Sequence, residues 1–155
     1  MSQDFFASAT RVTYAIFRIV TGLLFLQHGG QKLIGWFGGM DGQGATAELV
    51  SQIGLAGVLE LVGGALIILG LFTRPVAFIL AGEMAVAYFL AHFPRGFWPI
   101  QNNGEPAVLF CFAFLYMAAR GAGAFSLDAL TGRRGAEEPV IAGTRAGAPG
   151  QRDAA

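Results

Sequence analysis

Charge is scarce in this chain. Of its 155 residues, 13% are Asp, Glu, Lys or Arg, whereas 54% are hydrophobic. A soluble domain carries roughly 25% charged residues. So few charges cannot build a water-facing surface over this length, but they suit a bundle whose outer face meets lipid. The formal net charge is zero and no Lys/Arg block stands out. That excludes nucleic acid as a partner, because phosphate neutralisation needs a basic patch. Cysteine is limited to Cys111, inside an apolar run, which excludes an internal disulfide and CxxC chemistry. No H-x-x-H or E-x-x-H spacing is present, so no metal site is expected. The opening MSQDFFASATR lacks the basic n-region of a secretory signal, and Ala7 and Ala9 precede the apolar segment instead of following it. The first apolar segment is therefore expected to be an uncleaved anchor.

What is present is four apolar segments, at 14–34, 53–72, 76–93 and 103–119. A hydrocarbon core of about 30 Å needs roughly 20 helical residues, with a range near 17–25. The apolar character is continuous, whereas a barrel strand alternates. The second segment also lacks the broad polar face of a soluble bundle helix. The expected fold is all-α: an integral membrane four-helix bundle of antiparallel, up-down topology. It occupies residues 1–130, followed by a disordered cytoplasmic tail over 131–155. The 23 glycines suit close helix packing in lipid as well as loops. Pro75 suits the first helical position of the third span and Pro106 the first turn of the fourth. One membrane side receives Arg11, Arg74, Arg120, Arg133 and Arg134; the other receives Lys32 and Arg95 with Asp41 and Glu48. The basic excess marks the cytoplasmic side, so both termini are expected there.

The informative residues are the ionisable groups inside the spans, because each must turn inward, find a partner or serve a site. At 1.5 Å per residue, His28 lies roughly 9 Å below the outer boundary and Glu60 roughly 10 Å below it. A His28–Glu60 pair is expected. Glu83 lies roughly 10 Å above the inner boundary, near the level of Arg18, so an Arg18–Glu83 pair is expected too. Arg18, Gly22, Phe25, Gly29 and Lys32 form one stripe of the first helix, with His28 at its edge. On the second helix Gly57, Glu60 and Gly64 share a face, and the glycines permit close approach beside the carboxylate. Lys32, His92, Asn102, Asn103 and Glu105 are expected to gather as a polar mouth. Phe25, Tyr88 and Tyr116 are candidates for lining an apolar pocket. Proton exchange between Glu60 and His28 would suit a quinone, whose electron transfer is coupled to protonation.

These segments resemble the DoxX family of small bacterial membrane proteins. The resembling pieces are FRIVTGLLFLQHGGQKLIGWFG at 17–38, GVLELVGGALIILGLFTRPVA at 57–77, Gly82-Glu83-Met84, Asn103-Gly104-Glu105 and GAGAFSLDAL at 121–130. The resemblance implies a four-helix protein of the bacterial inner membrane. Some members are associated with thiosulfate:quinone oxidoreduction, others with membrane complexes of oxidative-stress or thiol homeostasis. The matching positions are Arg18, His28, Lys32, Glu60, Glu83, Asn103, Glu105 and Asp128. Three functions follow as expectations. The first is a quinone- or lipophile-binding subunit of a membrane redox complex. There His28 and Glu60 handle protons, Arg18 and Glu83 position the helices, and Lys32 and Glu105 shape the entrance. Its partners would be the bilayer, a soluble or membrane redox protein, and other copies of the chain. The second is a non-enzymatic scaffold that binds partner helices, and the third a small-molecule carrier.

Overall fold

The computed structural model describes residues 3–132. The predicted tail beyond Gly132, with Arg133 and Arg134, lies outside the described residues. The elements are all helical: α1 Gln3–Ile34, α2 Gln52–Leu69, α3 Thr73–Ala87, α4 Pro99–Asn102, α5 Glu105–Arg120 and α6 Leu127–Leu130. A π turn, Tyr88–His92, and a 3-10 turn, Phe93–Arg95, extend α3. Three of these helices are long and apolar enough to cross a membrane: Gln3–Ile34, Gln52–Leu69 and Thr73–Arg95. The 16 residues of α5 fall short on length. The chain is an all-α membrane protein, and its surface shows why. Leu55, Val62, Phe78, Leu109 and Phe112 are all exposed, and only lipid makes so much outward apolar area stable.

Several boundaries differ from the sequence reading. α1 begins at Gln3, eleven residues before the expected span, and at 32 residues it is about 48 Å long. α2 stops at Leu69 because Gly70 adopts the left-handed region. The Gly70 amide donates to Ile67 and the Leu71 amide to Leu66, which closes the helix end. α3 therefore starts at Thr73 and not at Val76, with Pro75 in its first turn. At the start of α2 the Ser51 hydroxyl accepts from the Gly54 amide at 3.0 Å.

α1 packs on α2 through facing glycines. A Cβ on Gly29 would strike the Leu61 backbone, one on Gly22 would lie 2.9 Å from the Gly64 carbonyl oxygen, and one on Gly64 would lie 2.8 Å from Leu26. Such contact leaves no room for side chains. α2 meets α3 where Gly63 accepts the Leu80 side chain. α3 packs on α5 across Leu80, Met84, Phe114 and Met117, and Phe25 from α1 completes this core. Phe25 is thus a core residue, its ring 4.7 Å from that of Phe114.

Candidate functional site

Three helices bring Lys32, Glu60 and Glu83 together. Glu60 is buried in α2, between Gly57 and Gly64. Those glycines let α1 approach closely, and the Lys32 ammonium donates to both Glu60 oxygens at 2.5 Å. This is the ion pair of the described residues. Lys32 replaces His28 as the partner of Glu60 for a geometric reason. Side chains of a helix tilt toward its N-terminus. The long lysine stem therefore reaches back over the preceding turn, while the short imidazole at His28 points elsewhere. His28 is exposed and sits edge-on to Phe110, with ring centroids 6.0 Å apart.

Glu83, on α3, is in the electrostatic field of both Glu60 and Lys32. Both of its carboxyl oxygens are buried, and neither has a hydrogen-bond partner. The sequence places Glu83 and Glu60 at different depths, and the start of α3 at Thr73 removes about half of that difference. Ten residues separate Thr73 from Glu83, which is about 15 Å of helix and not the roughly 10 Å measured from Val76.

Arg18 does not meet Glu83. It is 1% exposed and donates to the carbonyls of Ile67, Ile68 and Phe125, the last two at 2.6 and 2.5 Å. Ile67 and Ile68 lie in the last turn of α2, where carbonyls lack helical donors and the helix dipole favours a cation. Asp128 is the acidic group nearest in effect to Arg18. The Asp128 carboxylate accepts from the amides of Phe72 and Thr73, each at 2.9 Å, and so caps the start of α3 from α6. The Asp128 amide donates to Gly70 at 2.9 Å. The sequence reading named Asp128 without a role. A cap supplied from 55 residues away leaves no local spacing to read.

The expected polar mouth assembles only in part. His92 Nδ1 lies 3.1 Å from the Asn102 carbonyl oxygen. The Asn102 amide nitrogen donates to the Gly96 carbonyl at 2.7 Å and to the Tyr88 hydroxyl at 3.3 Å, and its oxygen accepts from Gly104 at 2.8 Å. Lys32 has turned to Glu60 instead. Asn103 and Glu105 are exposed, and Glu105 makes no ion pair with the buried cluster. Over the same end folds the connection from Gly35 to Ser51. Asp41 accepts there from the amides of Ala45 and Gln43, at 3.0 and 2.8 Å. Those bonds hold its carboxyl below the ordinary range.

Among the described residues, no three His, Cys, Asp or Glu side chains gather in a metal-binding group. The family profile described as DoxX matches residues 13–93, which contain Lys32, Glu60 and Glu83. An uncharacterized protein of Haemophilus influenzae is 47% identical over 118 residues, covering 74% of this chain and 87% of the relative. The inner membrane protein YphA of Escherichia coli is 31% identical over 134 residues, covering 79% and 93%. The protein of Bacillus subtilis named "putative oxidoreductase CatD" is 29% identical over 120 residues, covering 73% and 82%. No solved structure matches the chain.

Proposed function

The chain belongs to the DoxX family, and from that premise we propose that it is a four-span, up-down protein of the bacterial inner membrane with both termini cytoplasmic. In this reading it binds a quinone or similar lipophile and exchanges protons with it, as a subunit of a membrane redox complex. The name of the Escherichia coli relative supports the location and that of the Bacillus subtilis relative the redox class. The observation that carries the reading is Glu83, whose buried oxygens have no partner beside the Lys32–Glu60 pair. Two carboxyl groups share one lysine, so the cluster reaches neutrality with one proton bound. A buried charge without a partner is costly, whereas a protonated Glu83 has a donor to offer a ketone oxygen. The cluster thus fits a quinone headgroup better than a purely apolar ligand.

Reducing a quinone takes two electrons and two protons. The electrons come from a redox partner, and this chain's residues supply protons. Glu83 donates to one carbonyl oxygen and is reprotonated through Glu60 from the outer aqueous face; a second transfer by the same route protonates the other oxygen, and Lys32 holds Glu60 ionised between transfers. His28, one turn from Lys32, passes protons between Glu60 and the outer aqueous face, and Glu105 stands toward the entrance. Arg18 serves as the structural cation. A scaffold without catalysis is the second reading, favoured by Arg18, whose hydrogen bonds all go to backbone carbonyls.

Titration of the detergent-purified protein with decylubiquinone separates the two. We expect saturable binding, weakened about tenfold in Glu83→Leu, which loses the donor to the ketone oxygen, and in Glu60→Gln, which leaves the Lys32 charge unbalanced beside the site. Absence of saturable binding to the wild type rejects the redox reading in favour of the scaffold, and so does unchanged binding in both variants.

A further inference from the structure

At the opposite end of the molecule from the Gly35–Ser51 connection, a groove of about 480 Å³ runs between the first half of α1 and the end of α5. Phe6, Ala9, Phe17 and Tyr116 give it apolar walls, Thr10 and Thr13 add hydroxyls, and Arg120 closes one end. The guanidinium of Arg120 sits 4.4 Å above the Tyr14 ring and donates to the Tyr116 hydroxyl at 3.1 Å. No carboxylate among the described residues pairs with it. Arg18 and Arg74 act on the same Tyr14 phenol as Arg120 does, and Asp128 is already occupied by the start of α3. Among the described residues, this end therefore holds more fixed positive charge than it neutralises.

The level of the groove fits this charge. Counting from Ile34, about 20 helical residues cross the hydrocarbon and bring α1 to Tyr14. Tyr14, Tyr116 and Arg120 thus stand at the boundary where phospholipid phosphates lie, and tyrosine belts favour that depth. Tyr14 fixes the geometry by donating its hydroxyl hydrogen to the Gly121 carbonyl. The groove is apolar where acyl carbon would lie and cationic where a phosphate would.

We propose that this groove is a binding site for an anionic phospholipid, with the phosphate on Arg120 and an acyl chain along Phe17 and Tyr116. The proposal does not depend on the quinone reading, since the groove shares no residue with the Lys32–Glu60–Glu83 cluster. A juxtamembrane arginine contributes roughly a fivefold preference for anionic lipid.

Native mass spectrometry of the full chain, delipidated and then exposed to equal phosphatidylglycerol and phosphatidylcholine, reads this directly. The wild type should retain phosphatidylglycerol preferentially. Arg120→Gln should lose that preference about fivefold, and Thr10→Trp should displace the lipid by filling the groove. Arg95→Gln, at the other end of the molecule, should behave as wild type. Millimolar inorganic phosphate should not compete, because the acyl chain holds the ligand. Equal retention of both lipids, or an unchanged preference in Arg120→Gln and Thr10→Trp with normal thermal unfolding, overturns the proposal. Competition by phosphate also overturns it, as does lipid binding that appears only after removal of residues 133–155.

Discussion

The carboxylate of Asp128 accepts from two amides at the first turn of α3, those of Phe72 and Thr73. Helix starts leave such donors without intrahelical partners, and a negative charge there also meets the positive end of the helix dipole. Asp128 is buried, so water cannot replace it. Asp128→Ala should therefore lower stability by about 2–3 kcal/mol. Asp128→Asn keeps one acceptor without the charge and should cost roughly half of that. Thermal unfolding in detergent micelles checks both, and equal melting of wild type and Asp128→Ala would show that the cap is not needed. Arg18 obeys the same rule with the sign reversed. It lies against the last carbonyls of α2, where a cation is favoured. The two residues together fasten the turn between α2 and α3 to the chain beyond α5.

At the scale of elements, the spacing of glycines decides which helices touch. The stripe Gly22–Gly29 and the face Gly57–Gly64 are legible in the sequence, and the structure seats each against the other. Gly82 breaks the pattern, because nothing lies within 4 Å of a Cβ placed there. Gly29→Ala should force α1 from α2 and cost about 1–3 kcal/mol, whereas Gly82→Ala should be neutral or stabilise by up to about 1 kcal/mol. Unfolding of the two variants in one detergent orders them, and the reverse order would contradict the packing. The helical segments and their buried ionic groups were readable for a physical reason: lipid leaves little freedom in where a charge can go. The pairings were harder. Equal depth pairs His28 with Glu60 and Arg18 with Glu83, but side-chain reach decides between Lys32 and His28, and Gly70 decides where α3 begins. Asp128 and Asn102 act through backbone groups that tertiary folding alone brings near, so no periodicity announces them.

For the whole molecule, the proposed four-span topology turns on α5. α5 is about 24 Å long, less than the roughly 30 Å of hydrocarbon. Its neighbours support the proposed fourth crossing nonetheless. At its start, a Cβ on Gly104 would meet the Tyr88 ring, which belongs to the far end of the α3 rod. At its finish, the carbonyls of Ala118, Ala119 and Arg120 accept from Arg74, in the first turn of α3. α5 thus runs beside α3 from Arg74 to Tyr88, about 21 Å of a rod that is itself long enough to span. A short helix is tolerated by local thinning of the bilayer and by an arginine at its end that reaches the headgroups. Three and four crossings differ in one outcome. In a Cys111→Ser background, a cysteine at Gln43 and one at Ala124 should react with a membrane-impermeant maleimide from opposite sides of the membrane. Gln43→Cys is expected to label in intact cells, and Ala124→Cys only after the membrane is opened. Labelling of both in intact cells would leave α5 on one side of the bilayer. It would also place the start of α3, tied by Asp128 to the segment beyond α5, at the wrong face for a helix that follows two crossings.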